Sequence, residues 1–154
     1  MSRNFSCALL VWLFCLSASA RADGCVIDTS GSLDFGQYDV FSVVATDSIS
    51  MLIVTCDPLA AATIIVEAGP SAVSGSITQR KMQHASSASH LEYNLFIDVA
   101  HTQIWGDSTV GNPFVMHNIN DGNPRQLNVY GRLMPNQNPV VGQYHDTISV
   151  TVLP

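Results

Sequence analysis

The feature that most constrains this chain is a period of two. Leu91, Tyr93, Leu95 and Ile97 alternate with Glu92, Asn94, Phe96 and Asp98. Leu127, Val129 and Leu133 alternate with Asn128, Tyr130 and Arg132, and Ile148, Val150 and Val152 with Thr147, Ser149 and Thr151. Successive side chains of a strand point to opposite faces, so this pattern marks sheets with one buried face. The run 48–56 is apolar on both faces in its middle, as a central strand is. Residues 25–29, 63–68 and 144–153 read as further strands, rich in β-branched residues. Turn residues at 30–32, Gly69-Pro70, Gly106-Asp107, 121–124 and 135–139 separate these runs. The stretch 71–89 reads as half strand and half loop, and 106–124 as a loop with a short strand inside it. No stretch carries a helical period with caps. The expectation is one all-β domain, a sandwich or a barrel.

The first 22 residues are expected not to belong to that fold. Met1-Ser2-Arg3-Asn4 is a short basic start, residues 5–16 are an uncharged apolar run, and Ala18-Ser19-Ala20 and Ala20-Arg21-Ala22 are both A-x-A sites. That order describes a secretory signal peptide, residues 1–22, with the domain at 23–154. The apolar run falls short of the roughly 20 residues that a membrane-spanning helix needs. The mature chain is thus expected to carry no membrane span and to be exported.

Cleavage there removes Arg3, Arg21, Cys7 and Cys15. Four basic side chains then face twelve acidic ones, a net charge of −8. So acidic a surface disfavours nucleic acid and anionic lipid as partners. Cys25 and Cys56 are the two cysteines left, and in an oxidising compartment they are expected to pair. No ligand spacing surrounds either of them that would make a metal site or a catalytic thiol.

Catalytic patterns are absent: there is no G-x-S-x-G, P-loop, G-x-G-x-x-G or H-E-x-x-H. His90-Leu91-Glu92 lacks the P-C-x-x-C partner that a zinc deaminase requires. His84, His90, His101, His117 and His145 are scattered and read as solvated polar residues. No enzyme activity, catalytic residue, metal or cofactor is expected. Phe35-Gly36 reads as the end of a strand, and Phe35, Trp105 and Tyr130 read as core and turn residues.

In chain order, the pieces are Cys25, Leu33-Asp34-Phe35-Gly36 with Tyr38-Asp39-Val40, and Val54-Thr55-Cys56. Then follow Leu91-Glu92-Tyr93-Asn94-Leu95 with Asp98, Trp105-Gly106-Asp107, Val129-Tyr130-Gly131-Arg132, and the run 142–152. Together they resemble the spore coat protein U domain family over residues 24–154. That family includes pilin subunits of archaic, Csu-type chaperone–usher fimbriae and coat proteins of myxobacterial spores. The resemblance implies an incomplete immunoglobulin-like β-sandwich that lacks its last strand. It also implies a groove filled first by a periplasmic chaperone and later by the N-terminal extension of another pilin subunit, with delivery through an outer-membrane usher.

Three site expectations follow. Ile148, Val150 and Val152 are expected to face the core of the last strand, beside the groove. Phe114, Val115 and Met116, in a Gly/Asn/Pro-rich segment, are expected to form an exposed loop that contributes to adhesion and biofilm attachment. Only Asp23 and Gly24 precede Cys25 after cleavage, or four residues if cleavage follows Ala20, so the subunit is expected to lack a donor strand and to sit at a fibre tip or terminus. The alternative is a non-fimbrial secreted spore coat or matrix protein of the same fold.

Overall fold

The structure, a computed structural model, describes residues 24–29, 32–58, 60 and 63–153. The signal peptide expected at 1–22 lies outside the described residues. Nine strands run in the order β1 (Cys25–Thr29), β2 (Thr46–Cys56), β3 (Thr63–Ser71), β4 (Arg80–His84), β5 (His90–Phe96), β6 (Phe114–His117), β7 (Arg125–Leu133), β8 (Tyr144–His145) and β9 (Ile148–Leu153). No helix of the described residues is long and apolar enough to cross a membrane. A six-stranded sheet has the order β1-β2-β7-β5-β4-β8, and a three-stranded sheet has the order β6-β3-β9. All strand pairings are antiparallel. The architecture is an incomplete immunoglobulin-like β-sandwich.

The period of two decides which faces meet. Leu52, Val54 and Cys56 of β2, Leu91, Tyr93 and Leu95 of β5, and Val129 and Leu133 of β7 turn inward from the larger sheet. Ile64, Val66 and Ala68 of β3 meet them from the smaller one. Trp105 is buried, stacks edge-on with Phe114 at 5.3 Å, and donates its indole N–H to the Val66 carbonyl at 3.0 Å. The tight turn after it admits no side chain at Gly106, where a Cβ would lie 1.7 Å from the Val110 oxygen. Cys25 and Cys56 are bonded directly across β1 and β2, where they are register partners.

Four local expectations are corrected. Gly69-Pro70 does not end a strand: β3 continues to Ser71 through a register shift between Ala68 and Ser71. Such a bulge tolerates proline, which has no N–H to give the ladder. Residues 144–153 are two strands, not one. The chain leaves the larger sheet after β8 and enters the smaller as β9. Asp146 fixes that crossing by accepting the Tyr93 hydroxyl at 2.7 Å and the Val73 N–H at 3.3 Å, while Ala72 N–H donates to the Thr147 carbonyl at 3.1 Å. Residues 32–45 form no strand among the described residues, so Phe35-Gly36 does not end one. There Gly36 takes φ +69° and donates its N–H to Asp34 Oδ1 at 2.8 Å. Nor are all the histidines solvated. His84 is buried, and the His101 side chain is enclosed between Phe96 and Tyr130, its Nε2 3.7 Å from Asp47 Oδ1.

A polar bridge ties the layers together. Arg80 of β4 is fully buried. Its guanidinium donates to Asn94 Oδ1 at 2.7 Å in the larger sheet, to the Gly69 carbonyl at 2.9 Å in the smaller, and to the Trp105 carbonyl at 2.9 Å. Burial pushes the Arg80 pKa down. Burial likewise pushes the Tyr93 hydroxyl up, and its bond to Asp146 adds to the rise.

Candidate functional site

The smaller sheet does not cover the whole inner face of the larger one. At the uncovered end an open cavity of about 1050 Å³ lies over Met82 of β4, Leu91 of β5 and Leu133 of β7. Its two walls are residues 33–41 and 139–145.

The first wall is held by side chains and turns. Leu33 and Phe35 lie on Gly131 of β7, where a Cβ would come within 2.7–2.8 Å of them, and Phe35 meets Tyr93 edge-on at 5.9 Å. The Tyr38 hydroxyl donates to the Met134 carbonyl at 3.2 Å and accepts the Gln137 N–H at 2.9 Å. With no ladder along this wall, its backbone can still pair with an added strand.

The second wall is latched to the β4–β5 hairpin. His84 Nδ1 accepts the Ser86 N–H at 3.1 Å, which leaves the proton on Nε2 to donate to the Val141 carbonyl at 3.2 Å. Tyr144 donates its hydroxyl to the Val140 carbonyl at 2.6 Å, and Ser89 Oγ accepts the Val140 N–H at 3.1 Å. A side chain at Gly142 would put Cβ 2.0 Å from His84 Nε2, so the wall can close on the imidazole only through glycine.

The residues singled out from sequence fall in different places. Ile148, Val150 and Val152 are half-buried on β9 and pack against the core. None of them lines the cavity. They lie in the smaller sheet, paired with β3 at Ser71, Ala68 and Val66, and the outer edge of β9 has no strand partner among the described residues. Phe114, Val115 and Met116 do not form a loop. They belong to β6, with Phe114 and Met116 paired to Val66 and Ile64 of β3 and turned to the core, and Val115 exposed. The Gly/Asn/Pro context hides a strand whose own residues alternate. Phe114→Ser is therefore expected to cost about 2 kcal/mol of stability, through lost burial against Trp105. Denaturant melts with an unchanged midpoint would show that the ring contributes nothing to the core.

Sequence reasoning missed the cavity walls and the Arg80 bridge. The signal for the end of the first wall was present in Val40 and Phe41, which with Val43 and Val44 surround the polar Ser42 without strand alternation. Arg80 carried none, because one arginine in a polar stretch reads as surface.

Several carboxylates around the domain are stabilised as anions. The Asn123 side chain and N–H, with Arg125, hold Asp121 at about 2, below its ordinary 3.8. The Arg132 fork, at 2.7 Å to each oxygen, lowers Asp47, and the Thr109 hydroxyl and Val110 N–H lower Asp107. A folded-state pKa below the unfolded one gives stability that is present above about pH 4 and lost as pH falls toward 2. The melting temperature is expected to fall across that window. A flat profile between pH 4 and pH 2 would contradict these bonds.

Similarities to known proteins agree with this fold. The chain is 34% identical over 131 residues to Protein U of Myxococcus xanthus, covering 79% of this chain and 71% of that protein. Its fold resembles the CsuC–CsuE chaperone–tip adhesion subunit pre-assembly complex from archaic chaperone–usher Csu pili of Acinetobacter baumannii, with TM-score 0.57 and 21% identity. It also resembles a chaperone–tip adhesin complex described as vital for synergistic activation of CFA/I fimbriae biogenesis, with TM-score 0.54 and 12% identity. These two likenesses cover 83% and 85% of this chain, and 38% and 42% of the solved chains. The sequence pattern of the Spore Coat Protein U domain matches residues 12–151. With that match from before β1 into β9 and a relative above 30% identity, the chain belongs to the spore coat protein U domain family.

Proposed function

We propose that this protein is an exported structural or adhesive subunit of a chaperone–usher fimbria, and that its cavity accepts a β-strand from a partner. The observation that carries the reading is the gap in the second layer. An apolar floor of Met82, Leu91 and Leu133 lies open between two walls, one of which leaves its backbone unladdered. An extended segment placed there fills the volume with alternate side chains and pairs its backbone with the wall. The likeness in fold to subunits solved with chaperones supports the same reading. A periplasmic chaperone, an outer-membrane usher and other pilin subunits are the partners it requires, and Ile148, Val150 and Val152 flank the inserted strand from β9.

The subunit is further proposed to end a fibre. With cleavage after Ala22, Asp23 and Gly24 alone precede Cys25, which the disulfide fixes to Cys56. Two residues at about 3.3 Å each cannot span a neighbour's groove. The family's own description favours a second reading, a secreted coat or matrix protein of the same fold.

The test is binding of a synthetic strand peptide with alternating apolar residues. It is expected to raise the melting temperature of the purified mature protein, and Met82→Asp, at a half-buried floor position, is expected to abolish that rise. A peptide that leaves the melt unchanged rules the groove reading out. For the fibre position, electron microscopy of filaments grown from this protein alone would overturn the terminal assignment.

A further inference from the structure

We infer that the outer face of the smaller sheet packs against the same face of a second copy of this chain, across a two-fold axis that runs along the row Val115–Ile65–Leu153. The inference concerns a surface outside the cavity and does not rest on the strand-acceptor reading. Ile65 of β3 is the register partner of Val115 of β6 and of Leu153 of β9. Register partners project to one face, and their Cβ atoms lie about 5 Å apart. The inward positions of these strands are taken by Ile64, Val66, Phe114, Met116 and Val152, so the three apolar side chains of the row point away from the core. Val115 is 51% exposed, Leu153 37%, and Ile65 is half-buried. The outward positions of a solvated antiparallel sheet are ordinarily polar, yet here one row is apolar from edge to edge.

The rows on either side of it are polar, and they complement each other. On one side Thr63 Oγ1 and His117 Nδ1, from register partners, lie 3.2 Å apart. On the other side Glu67 is opposite Thr151, and Ser108 Oγ donates to Glu67 Oε1 at 2.6 Å. A half-turn about the apolar row lays that row onto itself. It also sets the Thr63–His117 pair of each copy over Glu67 of the other, where a carboxylate can accept a further donor. Face-to-face sheets pack about 10 Å apart, close enough for the side chains of the two rows to interdigitate.

Charge selects this face for a contact between copies. Cleaved after Ala22, the chain carries a net charge of −8 and repels itself over most of its surface. Among the described residues, Glu67 is the one carboxylate at the outward positions of β3, β6 and β9, and the half-turn keeps it apart from its own counterpart. The outer face of the larger sheet carries Asp28, Asp47 and Glu92, so two copies meeting there would oppose like charges. A three-stranded face buries less than the about 1,200 Å² of a stable complex. The contact is therefore weak between single domains and strengthens where many copies are held side by side.

Sedimentation velocity of the purified mature protein over a concentration series is expected to show a monomer–dimer equilibrium. Val115→Glu, at an exposed position, is expected to raise the dimer dissociation constant about tenfold or more, and its melt reports whether the fold is kept. Ile49→Glu, 63% exposed on the outer face of the larger sheet, is expected to leave that constant within about twofold of wild type. A short bismaleimide is expected to link Val115→Cys chains to one another, because the half-turn brings β6 over β6. Linkage found only between Val115→Cys and Leu153→Cys chains would overturn the arrangement. A monomer at every concentration, or an association that Val115→Glu leaves unchanged, overturns the inference. Self-association abolished by the strand peptide would place the contact in the groove and overturn it as well. The groove reading itself is decided by the peptide melt, so the two can fail separately.

Discussion

Arg80→Ala is expected to cost about 3–5 kcal/mol of folding stability, enough to leave little soluble domain. The guanidinium is fully buried and makes three hydrogen bonds, to Asn94, to the Gly69 carbonyl and to the Trp105 carbonyl. Alanine would take the Arg80 donors from the Gly69 and Trp105 carbonyls in a dry interior, at about 1–3 kcal/mol each before relaxation, leave Asn94 Oδ1 with only the Leu95 N–H at 2.9 Å, and open a void. Arg80→Lys keeps the charge but offers a single nitrogen where two now donate, so it is expected to rescue only part of the loss. Arg80→Met fills the volume and removes the charge, yet takes the same donors from the Gly69 and Trp105 carbonyls. Denaturant unfolding of the three variants orders them, with alanine expected to be the least stable. An alanine variant within about 1 kcal/mol of wild type would show that the bridge is dispensable.

The second large effect is expected at the disulfide. The bond closes a sequence separation of 31 residues between β1 and β2. In the chain-entropy account, closing such a loop removes denatured-state freedom equivalent to about 3.5–4 kcal/mol. Cys25→Ser/Cys56→Ser should lose about that amount, and reduction of the wild type should reproduce it. β1 is an edge strand of five residues, so its ladder with β2 alone offers little to hold it. Melts of oxidised and reduced protein that coincide would show that β1 stays docked without the bond.

Where polarity alternated with burial, the chain could be read directly. In β7 and β9, and in β5 apart from the buried Asn94 and Phe96, the apolar residues face the core and the polar ones do not, so two-residue periodicity located all three. β4 escaped because its two buried residues, Arg80 and His84, are polar, and a pattern built on hydrophobicity does not register them. The division of 144–153 escaped for the opposite reason. Alternation runs unbroken from β8 into β9, and the change of sheet depends on bonds that Asp146 and Thr147 make with distant residues. Phe114 and Met116 were misplaced by neighbours rich in turn residues. The cavity walls were the least legible part of the site. Their apolar side chains stay exposed in the isolated domain, and a one-chain pattern cannot tell surface kept for a partner from surface that packs.

The crossing at Asp146 and Thr147 has a mechanical consequence. One continuous stretch of chain belongs to the larger sheet at β8 and to the smaller at β9. Tension applied along it therefore loads β4 through β8 and β3 through β9 together. For the layers to shear past one another, the Tyr93–Asp146 and Ala72–Thr147 bonds must break along with the ladder on at least one side of the crossing. Residues 139–145, the second wall of the cavity, run directly into that crossing. A pull transmitted through a strand inserted as proposed would reach the domain where its two layers are already cross-braced, and force would be shared between sheets before it could peel either one open.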